Sequence, residues 1–250
     1  MDINNKMPFA LTVAGFDGSG GAGILADIKA FESFGVYGQA VCTANTIQNE
    51  SEFMDSGFLP WDTIVAQLDA LYRRRFFDFV KIGLIPSAEI LKNIVEYIRK
   101  HSPNAFIIWD PILSATAGYH FFSAQEVESF LPWLNQINLI TPNQKEFTYL
   151  GLGLAASRNE VKIGSDFAVL LKGGHQKGDF STDTLWYEDQ QIKFSSKRLS
   201  GKGKHGTGCT LSAAILANLA LGYSLVESCQ IAKNYMDLFL RGGEGLLGRV

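Results

Sequence analysis

The residues best suited to chemistry lie in one stretch, residues 201–212, where glycines and two lysines precede an apolar helical run that starts at Cys209. Backbone N–H groups at the start of a helix have no partner inside it, and the helix dipole adds partial positive charge there. Such a loop binds an anion, typically a phosphate. Because Cys209 stands at the mouth of the predicted helix, we expect the pKa of its thiol to be lowered from about 8.5.

The same stretch carries a family signature. Residues 205–212, His-Gly-Thr-Gly-Cys-Thr-Leu-Ser, resemble the HGTGCTLS motif of the hydroxymethylpyrimidine/phosphomethylpyrimidine kinases, the thiamin-pathway branch of the ribokinase-like superfamily. In the wider superfamily an aspartate near this position acts as the base, and in the thiamin branch a cysteine occupies it. The resemblance implies a catalytic Cys209 and an anion hole formed by Gly206, Thr207 and Gly208. The alternative is a glycine-rich turn before a buried helix, with Cys209 in the core.

A second glycine loop follows the first predicted strand. Gly18, Gly20 and Gly23 satisfy the dinucleotide-binding pattern G-x-G-x-x-G between a strand and a helix, so a dinucleotide-dependent oxidoreductase is an alternative function. The next strand should then end in an acid that binds the ribose hydroxyls. It ends instead in uncharged residues, Asn45, Thr46, Gln48 and Asn49. Residues 10–27 resemble the opening segment of the same kinase family, with Gly18 where the family usually has proline.

In that family the opening segment lines the pyrimidine pocket, which implies that Gly15, Asp27 and Gln48 bind the substrate. An aminopyrimidine presents ring-nitrogen acceptors and an amino donor, and the carboxamide of Gln48 can meet both. Asp27 can accept a hydrogen bond from the substrate or hold the loop. The alternatives are a first-turn helix carboxylate for Asp27 and a solvated loop amide for Gln48.

The fourth predicted strand, residues 105–109, ends in Asp110. Open α/β sheets place their chemistry at the carboxyl ends of the strands, so Asp110 is a candidate for organising Mg²⁺ or for electrostatic work near phosphates. The alternative is an Asp-Pro turn starter. In the loop that follows, Thr116 stands where the family has a lysine. This difference leaves open whether a second phosphorylation occurs, because the substrate of that step already carries a phosphate.

Two further motifs follow predicted strands. Thr-Pro-Asn-Gln-Lys-Glu at residues 141–146 is similar to the family's TPN-x-x-E motif, which implies that Asn143 and Glu146 act on the nucleotide and metal side. The pair is also a capping box, and both roles are compatible because an acid at a helix mouth can reach Mg²⁺ through water. Residues 167–175 resemble the family's VLLKGGH segment, which implies that Lys172 contacts the nucleotide phosphates. The alternative is a cation at a strand end.

The order of elements predicts the fold class. Strands that alternate with helices predict a doubly wound, mostly parallel sheet flanked by helices. The resemblance implies the ribokinase-like three-layer α/β/α fold in a single domain, residues 1–250. Alternating residues at 184–194 predict a small β-hairpin at the sheet edge, and capping boxes at Ser123 and Ser224 predict two helix starts.

Composition excludes several classes of partner. The chain has 250 residues, 46% of them hydrophobic, and a net charge of −3, so no basic footprint for nucleic acid is present. The basic cluster at residues 73–75 ends a predicted helix, which indicates a solvated last turn and not a nucleic-acid patch. Three cysteines without zinc-ligand spacing are typical of a reducing cytosol. The uncharged stretch at residues 205–226 is interrupted and too short for a membrane span. We therefore expect a cytoplasmic protein without nucleic-acid or membrane partners, and kinship alone suggests a homodimer.

The resemblance covers nearly the whole chain and implies a specific reaction. It is the ATP-dependent phosphorylation, with Mg²⁺, of 4-amino-5-hydroxymethyl-2-methylpyrimidine on its hydroxymethyl group and then of its monophosphate, in thiamin biosynthesis. A pyridoxal or pyridoxine kinase of the same superfamily is the nearest alternative, and Gln48 favours the aminopyrimidine. A non-catalytic vitamin-binding regulator and the oxidoreductase are the alternatives from other classes.

Overall fold

A nine-stranded sheet is the framework of the chain in the computed structural model, which describes residues 7–113, 129–157, 162–174, 178–199, 203–243 and 245–250. The strands in chain order are β1 (Phe9–Asp17), β2 (Tyr37–Gln48), β3 (Phe53–Phe58), β4 (Phe79–Ile82), β5 (Phe106–Trp109), β6 (Leu139–Ile140), β7 (Ala168–Leu171), β8 (Phe180–Tyr187) and β9 (Gln190–Lys197). Their spatial order is β3-β2-β1-β4-β5-β6-β7-β8-β9. Neighbours from β2 to β7 run parallel, whereas β3, β8 and β9 pair antiparallel.

Helices cover both faces of this sheet. They are α1 (Gly23–Ser33), α2 (Trp61–Tyr72), α3 (Ala88–His101), α4 (Gln144–Tyr149), α5 (Leu152–Ser157), α6 (Thr207–Ala220) and α7 (Leu225–Arg241), with a 3₁₀ helix at Leu131–Gln136. Helices α2 and α3 pack in one apolar core. Helices α1, α6 and α7 pack in a second core on the other face. The predicted three-layer α/β/α architecture is therefore confirmed.

Helix α6 is the apolar helix predicted after the anion loop. Its residues from Cys209 to Leu219 are all buried, because the helix contacts α1 and α7 as well as the strands β1 and β4. Among the described residues, no helix combines the length and the apolar character needed to cross a lipid bilayer. Helix α6 is thus a core element, as its interrupted apolar run predicted.

The edges of the sheet show one success and one omission of the sequence reasoning. The predicted hairpin is confirmed: β8 pairs with β9 around a turn at Glu188 and Asp189, both with left-handed backbone angles. Strand β3 at the opposite edge was not predicted. None of its residues is buried and the segment lacks apolar alternation, so no pattern in the sequence marked it. The capping box at Ser224 is confirmed, whereas Ser123 and Thr116 lie outside the described residues.

Candidate active site

One cavity of about 820 Å³ lies where the parallel strands end. It brings together residues from both glycine loops and from the strand ends, as the parallel topology requires. The predicted site residues that line it are Gly15, Gln48, Asp110, Asn143, Glu146, Lys172, Gly206, Thr207, Gly208 and Cys209. Asp27 is fully buried and lies outside this lining.

The predicted anion loop has a backbone that requires glycine. Gly206 caps the start of α6 with a left-handed φ of 71°, and a Cβ at this position would lie 1.8 Å from the carbonyl oxygen of Gly21. The two glycine loops therefore touch through their backbones. Because the helix begins at Thr207, the N–H groups of its first turn lack partners inside the helix where Gly206, Thr207 and Gly208 line the cavity.

A charged cluster adjoins this loop. The ammonium of Lys172 lies 2.7 Å from Asp110 Oδ1 and 3.9 Å from Glu146 Oε2. A Cβ on Gly208 would lie 3.1 Å from Lys172 Nζ, so the first turn of α6 meets the cluster directly. Burial opposes the ionisation of Asp110, but Lys172 and Lys81 hold the pKa of its carboxyl below the usual value.

The partners of Lys172 differ in their protonation. Burial raises the pKa of Glu146 to about 7; Lys172 acts against this rise and Asp110 adds to it. Burial would remove the proton from Lys172, yet the two carboxylates raise the pKa of its ammonium. Lys172 therefore remains protonated at neutral pH. It lies between Asp110, which is ionised, and Glu146, which titrates near neutrality.

Asn143 and Glu146 form the predicted capping box at the start of α4. The side chain of Asn143 accepts a hydrogen bond from Glu146 N at 2.9 Å, and Glu146 Oε2 accepts one from Asn143 N at 2.7 Å. Both residues also line the cavity. The structural role is confirmed, and the role in nucleotide and metal binding stays a prediction.

The donor set at this end is compatible with magnesium. Among the described residues, no group of three or more His, Cys, Asp or Glu side chains is arranged to hold a metal ion. Mg²⁺ is commonly bound by one or two carboxylates together with substrate phosphates and water. Asp110 and Glu146 supply two such carboxylates beside one cavity, so they fit an ion that a nucleotide brings with it.

The expectation of a lowered pKa for Cys209 is wrong. Its side chain is 5% exposed, and burial raises the pKa of the thiol to about 12, with Asp110 and Asp27 acting in the same direction. Lys81 and the backbone N–H of Gly23 act in the opposite direction but are weaker. Loss of water outweighs the helix dipole here, so the thiol is protonated at neutral pH.

Asp27 takes a structural position rather than the predicted place against a substrate. Both of its carboxylate oxygens lie 2.8 Å from Lys81 Nζ, and Thr12 donates a hydrogen bond to one of them at 2.6 Å. The Asp27 and Lys81 side chains are completely buried. Because Lys81 and Thr12 occupy the carboxylate, direct contact between Asp27 and a substrate is not favoured. The alternative interpretation fits better, namely that Asp27 links α1 to the strands β1 and β4.

Gly15 and Gln48 define the other end of the cavity. The pairing of β1 with β2 shifts by one residue between Ala14 and Gly15, so Thr43 is an extra residue in β2 and that strand bends where it reaches the cavity. A Cβ on Gly15 would lie 3.1 Å from Leu84 Cδ2, so this wall is tightly packed. Gln48 Nε2 donates to Thr46 Oγ1 at 2.8 Å, which orients the carboxamide at the end of β2.

Sequence reasoning missed the pair formed by Asp17 and His205, which joins the two glycine loops. The imidazole Nε2 of His205 lies 2.8 Å from Asp17 Oδ2, and the same carboxylate accepts hydrogen bonds from Ser19 and from the N–H of Ala22. Burial favours the neutral acid, but these hydrogen bonds hold the pKa of Asp17 below its usual value. Asp17 lies within the opening segment, residues 10–27, and His205 begins the motif at residues 205–212. Membership in these two motifs was the feature of the sequence that could have identified the pair.

The same contacts explain why the first glycine loop does not act as a dinucleotide-binding turn. In that motif, backbone N–H groups of the loop hold a pyrophosphate. Here the carboxylate of Asp17 accepts from Ser19 N and Ala22 N at 2.9 Å each. The protein's own acid therefore occupies the anion position of this loop, which leaves the loop before α6 as the candidate phosphate site.

A three-layer α/β fold with a helix-start anion loop beside an Asp–Lys–Glu cluster defines a small-molecule kinase of the ribokinase-like class. Residues 17–246 match the sequence model of the phosphomethylpyrimidine kinase family. A hydroxymethylpyrimidine/phosphomethylpyrimidine kinase of Aquifex aeolicus is 35% identical over 247 residues, which cover 95% of this chain and 96% of that protein. The chain belongs to the phosphomethylpyrimidine kinase family.

Solved structures agree with this assignment. A phosphomethylpyrimidine kinase of Clostridium difficile superposes with a TM-score of 0.72 at 32% identity, covering 93% of this chain and 98% of its own. The pyridoxal kinase of Staphylococcus aureus in complex with AMP-PCP superposes with a TM-score of 0.84 at 26% identity, covering 98% and 93% respectively. The family and the fold that the sequence predicted are confirmed, and kinase activity is favoured over the oxidoreductase and regulator alternatives.

Proposed function

We propose that this kinase transfers the γ-phosphoryl group of ATP to the hydroxymethyl group of 4-amino-5-hydroxymethyl-2-methylpyrimidine, and then phosphorylates the resulting monophosphate. The observation that carries the proposal is the single cavity that Gln48, Cys209 and Lys172 share. A neutral amide suited to an aminopyrimidine lies at one end, and a cation suited to phosphates lies at the other. The names of the relatives from Aquifex aeolicus and Salmonella typhimurium support this substrate.

ATP would occupy the end of the cavity that holds the charged cluster. Lys172 and the N-terminal turn of α6 would bind its phosphates, with Asn143 beside them. Apolar side chains of Met236, Leu240 and Leu246 line the cavity and offer a surface for the base. Pyridoxal kinases solved with ADP and with AMP-PCP support a nucleotide in this fold. Asp110 and Glu146 would hold Mg²⁺ through water, and that ion would neutralise phosphate charge.

The chain's own groups would stabilise the transferring phosphoryl group. The N–H groups around Gly206, Thr207 and Gly208 would donate hydrogen bonds to its oxygens; loss of one such donor typically raises a barrier by about 2.7–4 kcal/mol. Lys172 would balance the charge that develops. Because Lys172 Nζ lies so close to Gly208, both contributions act on the same point.

Cys209 would orient the acceptor hydroxyl rather than remove its proton in advance. Phosphoryl transfer through a loose transition state needs little base strength, so positioning matters more than basicity. A thiol with a pKa of about 12 remains protonated, yet it still exchanges hydrogen bonds with a hydroxyl group. This role agrees with the burial of the sulfur.

Acceptor choice would depend on the neutral end of the cavity. The carboxamide of Gln48 would pair with the edge of the pyrimidine, and Gly15 would leave room for the ring to approach the backbone. Leu84 and Ile112 line the same region and supply an apolar surface for the ring. Asp27 would act indirectly, through the residues it holds.

Pyridoxal phosphorylation is a second candidate function, favoured by one observation. The TM-score with the Staphylococcus aureus pyridoxal kinase, 0.84, exceeds the value of 0.72 for the Clostridium difficile phosphomethylpyrimidine kinase, although sequence identity runs the other way. The overall backbone is therefore shared with proteins named for either acceptor. The amide of Gln48 favours the aminopyrimidine.

A coupled ADP-release assay tests the proposal. The protein is offered the pyrimidine alcohol, its monophosphate and pyridoxal in turn. We expect the highest kcat/KM with the pyrimidine alcohol and measurable turnover with the monophosphate. A higher kcat/KM with pyridoxal would assign the second candidate function, and no ADP release with any acceptor would overturn the kinase proposal.

We extend the proposal to the state of the protein. The match over residues 17–246 supports one ribokinase-like domain, and kinship suggests a homodimer. The three free cysteines support a reducing compartment. Light scattering coupled to size-exclusion chromatography would show a mass twice that of the chain, and a mass of one chain would contradict the dimer.

A further inference from the structure

The side chains of Asp17 and His205 join the two glycine loops that line the cavity. Asp17 ends β1 and precedes the first loop, residues 18–23, and His205 directly precedes Gly206 in the anion loop. The imidazole Nε2 lies 2.8 Å from Asp17 Oδ2, and both residues are buried and line the cavity. Because the ionised carboxylate of Asp17 can only accept, Nε2 carries the hydrogen and donates it.

Asp17 is held in place by its own loop. Its carboxylate accepts hydrogen bonds from Ser19 N, Ser19 Oγ and Ala22 N, each at 2.9 Å. Three donors of the first loop therefore satisfy the acid without help from His205. The added bond from the imidazole fixes where the anion loop lies relative to this acid.

The two loops are also in van der Waals contact at this point. A Cβ on Gly206 would lie 1.8 Å from the carbonyl oxygen of Gly21, and a Cβ on Gly21 would lie 2.5 Å from His205 Cδ2. A side chain at either glycine would therefore force the loops or the imidazole to move. Close contact limits how near the loops can come, and the hydrogen bond limits how far they can separate.

The backbone of the anion loop has a separate support. The N–H of His205 donates to Leu246 O at 2.8 Å, and Lys204 Nζ donates to Gly245 O at 2.7 Å. These bonds to the C-terminal segment do not involve the imidazole. Replacing the side chain of His205 thus removes the link between the loops and keeps the other contacts of the anion loop.

The linked loops serve different ends of the cavity. Strand β1, which ends in Asp17, also carries Gly15 at the end proposed for the acceptor. The residues after His205 supply the N–H groups proposed to bind the transferring phosphoryl group. Reacting atoms must lie about 3–3.5 Å apart, and a misplacement of about 1 Å can slow a reaction about 10²-fold. The separation of the two loops is therefore important for the rate.

We propose that His205 is a positioning residue for phosphoryl transfer: its hydrogen bond to Asp17 keeps the anion loop at the distance from the acceptor end that the reaction needs. This inference rests on the proposed function. His205 contacts neither substrate in this account. Each substrate alone therefore binds normally without the link, and only the step in which the two meet becomes slower.

His205→Leu and His205→Gln separate this role from simple packing. Leucine has no donor, whereas the amide nitrogen of glutamine can take the place of Nε2 and donate to Asp17. We expect His205→Leu to lower kcat about 10²-fold. Its KM values for ATP and for the pyrimidine alcohol should change less than about threefold, and His205→Gln should keep kcat within about fivefold of the parent value.

Tyr97→Phe is the matched control. Its hydroxyl donates to Asp69 Oδ1 at 2.6 Å and links α3 to α2, and neither residue lines the cavity. Loss of this link should leave kcat unchanged. A folded His205→Leu variant with normal kcat would overturn the inference, and so would equal losses of kcat in His205→Leu and His205→Gln.

Hydrogen–deuterium exchange of the free protein, followed by mass spectrometry, measures the link without a substrate. Asp17 accepts from Ala22 N, and His205 N donates to Leu246 O, so the peptides that contain Ala22 and His205 report on the two loops. We expect exchange in both peptides to become several-fold faster in His205→Leu and to stay near the parent rate in His205→Gln. Unaltered exchange in His205→Leu would overturn the inference.

Gly21→Ala keeps the test decisive if His205→Leu fails to fold. Its Cβ would displace the imidazole, whereas in the control Gly57→Ala the nearest atom lies 4.0 Å from the new Cβ. We expect a lower kcat for Gly21→Ala alone, and parent values in both variants would overturn the inference. If the unaltered chain releases no ADP with any acceptor, the proposed function fails; the exchange experiment still tests the link.

Discussion

The two ends of the cavity are built differently. At the phosphate end (Asp110, Glu146, Lys172 and residues 206–208), charged side chains contact one another and the start of α6 within a few ångströms. At the acceptor end (Gly15, Gln48, Leu84 and Ile112), these four side chains are neutral and lie at or just after strand ends, and the exposed Glu50 and Glu52 line the cavity beyond Gln48. In the function we propose, the phosphate end serves any phosphoryl transfer, whereas the acceptor end distinguishes one alcohol from another.

Solved relatives fit this division. Structures named for pyridoxal kinase and for phosphomethylpyrimidine kinase both superpose on this chain, with TM-scores of 0.84 and 0.72. A shared scaffold for different acceptors is expected when a few residues at one end choose the acceptor. Changes at the phosphate end should therefore abolish turnover, and changes at the acceptor end should alter preference.

The largest effect is expected for Lys172→Met. The variant removes the cation that lies between two buried acids at the phosphate end. We expect kcat to fall by about 10³-fold or more, which is the lower limit of the losses typical when a cation that contacts the transferring phosphoryl group is removed. Steady-state ADP release measures the change. The exposed control Lys193→Met should retain activity, and a near-normal kcat for Lys172→Met would remove the charged cluster from the mechanism.

Gly206→Ala should have the next largest effect. A Cβ there would lie 1.8 Å from the carbonyl oxygen of Gly21, so the loop must move and its N–H groups would no longer point at the transferring phosphoryl group. We therefore expect kcat to fall by about 10²–10³-fold. Gly35→Ala is the matched control, because Gly35 has a similar φ of 75° but open space around it. Equal losses of activity in both variants would show that backbone strain, not the anion loop, is responsible.

The phosphate end also predicts a pH dependence of stability in the absence of nucleotide and metal. The pKa of Glu146 is about 7 in the folded protein and near 4.5 when exposed, so between these pH values the folded state binds more protons than the unfolded state. Stability therefore falls as pH rises through this window, by on the order of 3 kcal/mol. Below it the residue is neutral in both states and has no effect.

Glu146→Gln tests this dependence and keeps the capping box, which accepts glutamine at this position. Urea unfolding at pH 4.5 and at pH 8 gives the free energies of unfolding. The variant should gain stability over the parent protein at the higher pH and little at the lower. An equal difference at both pH values would show that the carboxyl does not titrate in this window.

The smallest effect is expected at the acceptor end, for Gln48→Ala. Loss of one specific hydrogen-bonding side chain should raise KM for the pyrimidine alcohol by about tenfold and leave kcat nearly unchanged. The ratio of kcat/KM for the pyrimidine to that for pyridoxal should fall. If kcat drops and the ratio stays constant, the two ends of the cavity do not divide their tasks as described.

Much of the candidate site was predictable from the sequence because glycines and strand-end acids carry local signals and because several of these residues lie in motifs that resemble those of a known family. Gly206, Cys209, Asp110 and Lys172 each follow or precede a recognisable strand or helix, and parallel strands gather their carboxyl ends at one edge. The alternation of strands and helices predicted a mostly parallel sheet flanked by helices, and the family resemblance implied the ribokinase-like three-layer fold. The edge strand β3 could not be predicted in this way, because none of its residues is buried and its sequence has no apolar alternation.

Contacts between distant residues were not predictable. Asp27 and Lys81 are 54 residues apart, and Asp17 and His205 are 188 apart, so no local pattern links either pair. The pKa of Cys209 depends on the same kind of information. Its helix-start position was readable, but the burial that outweighs the helix dipole was not.

The most direct test of the central claim, that the acceptor alcohol and the phosphoryl group meet at Cys209, is the kcat of Cys209→Ala with the pyrimidine alcohol. We expect kcat to fall by about 10²-fold or more, the size of loss that follows when a reacting group is no longer held in position, with the affinity for AMP-PCP unchanged. A variant that turns over at the normal rate would contradict the account.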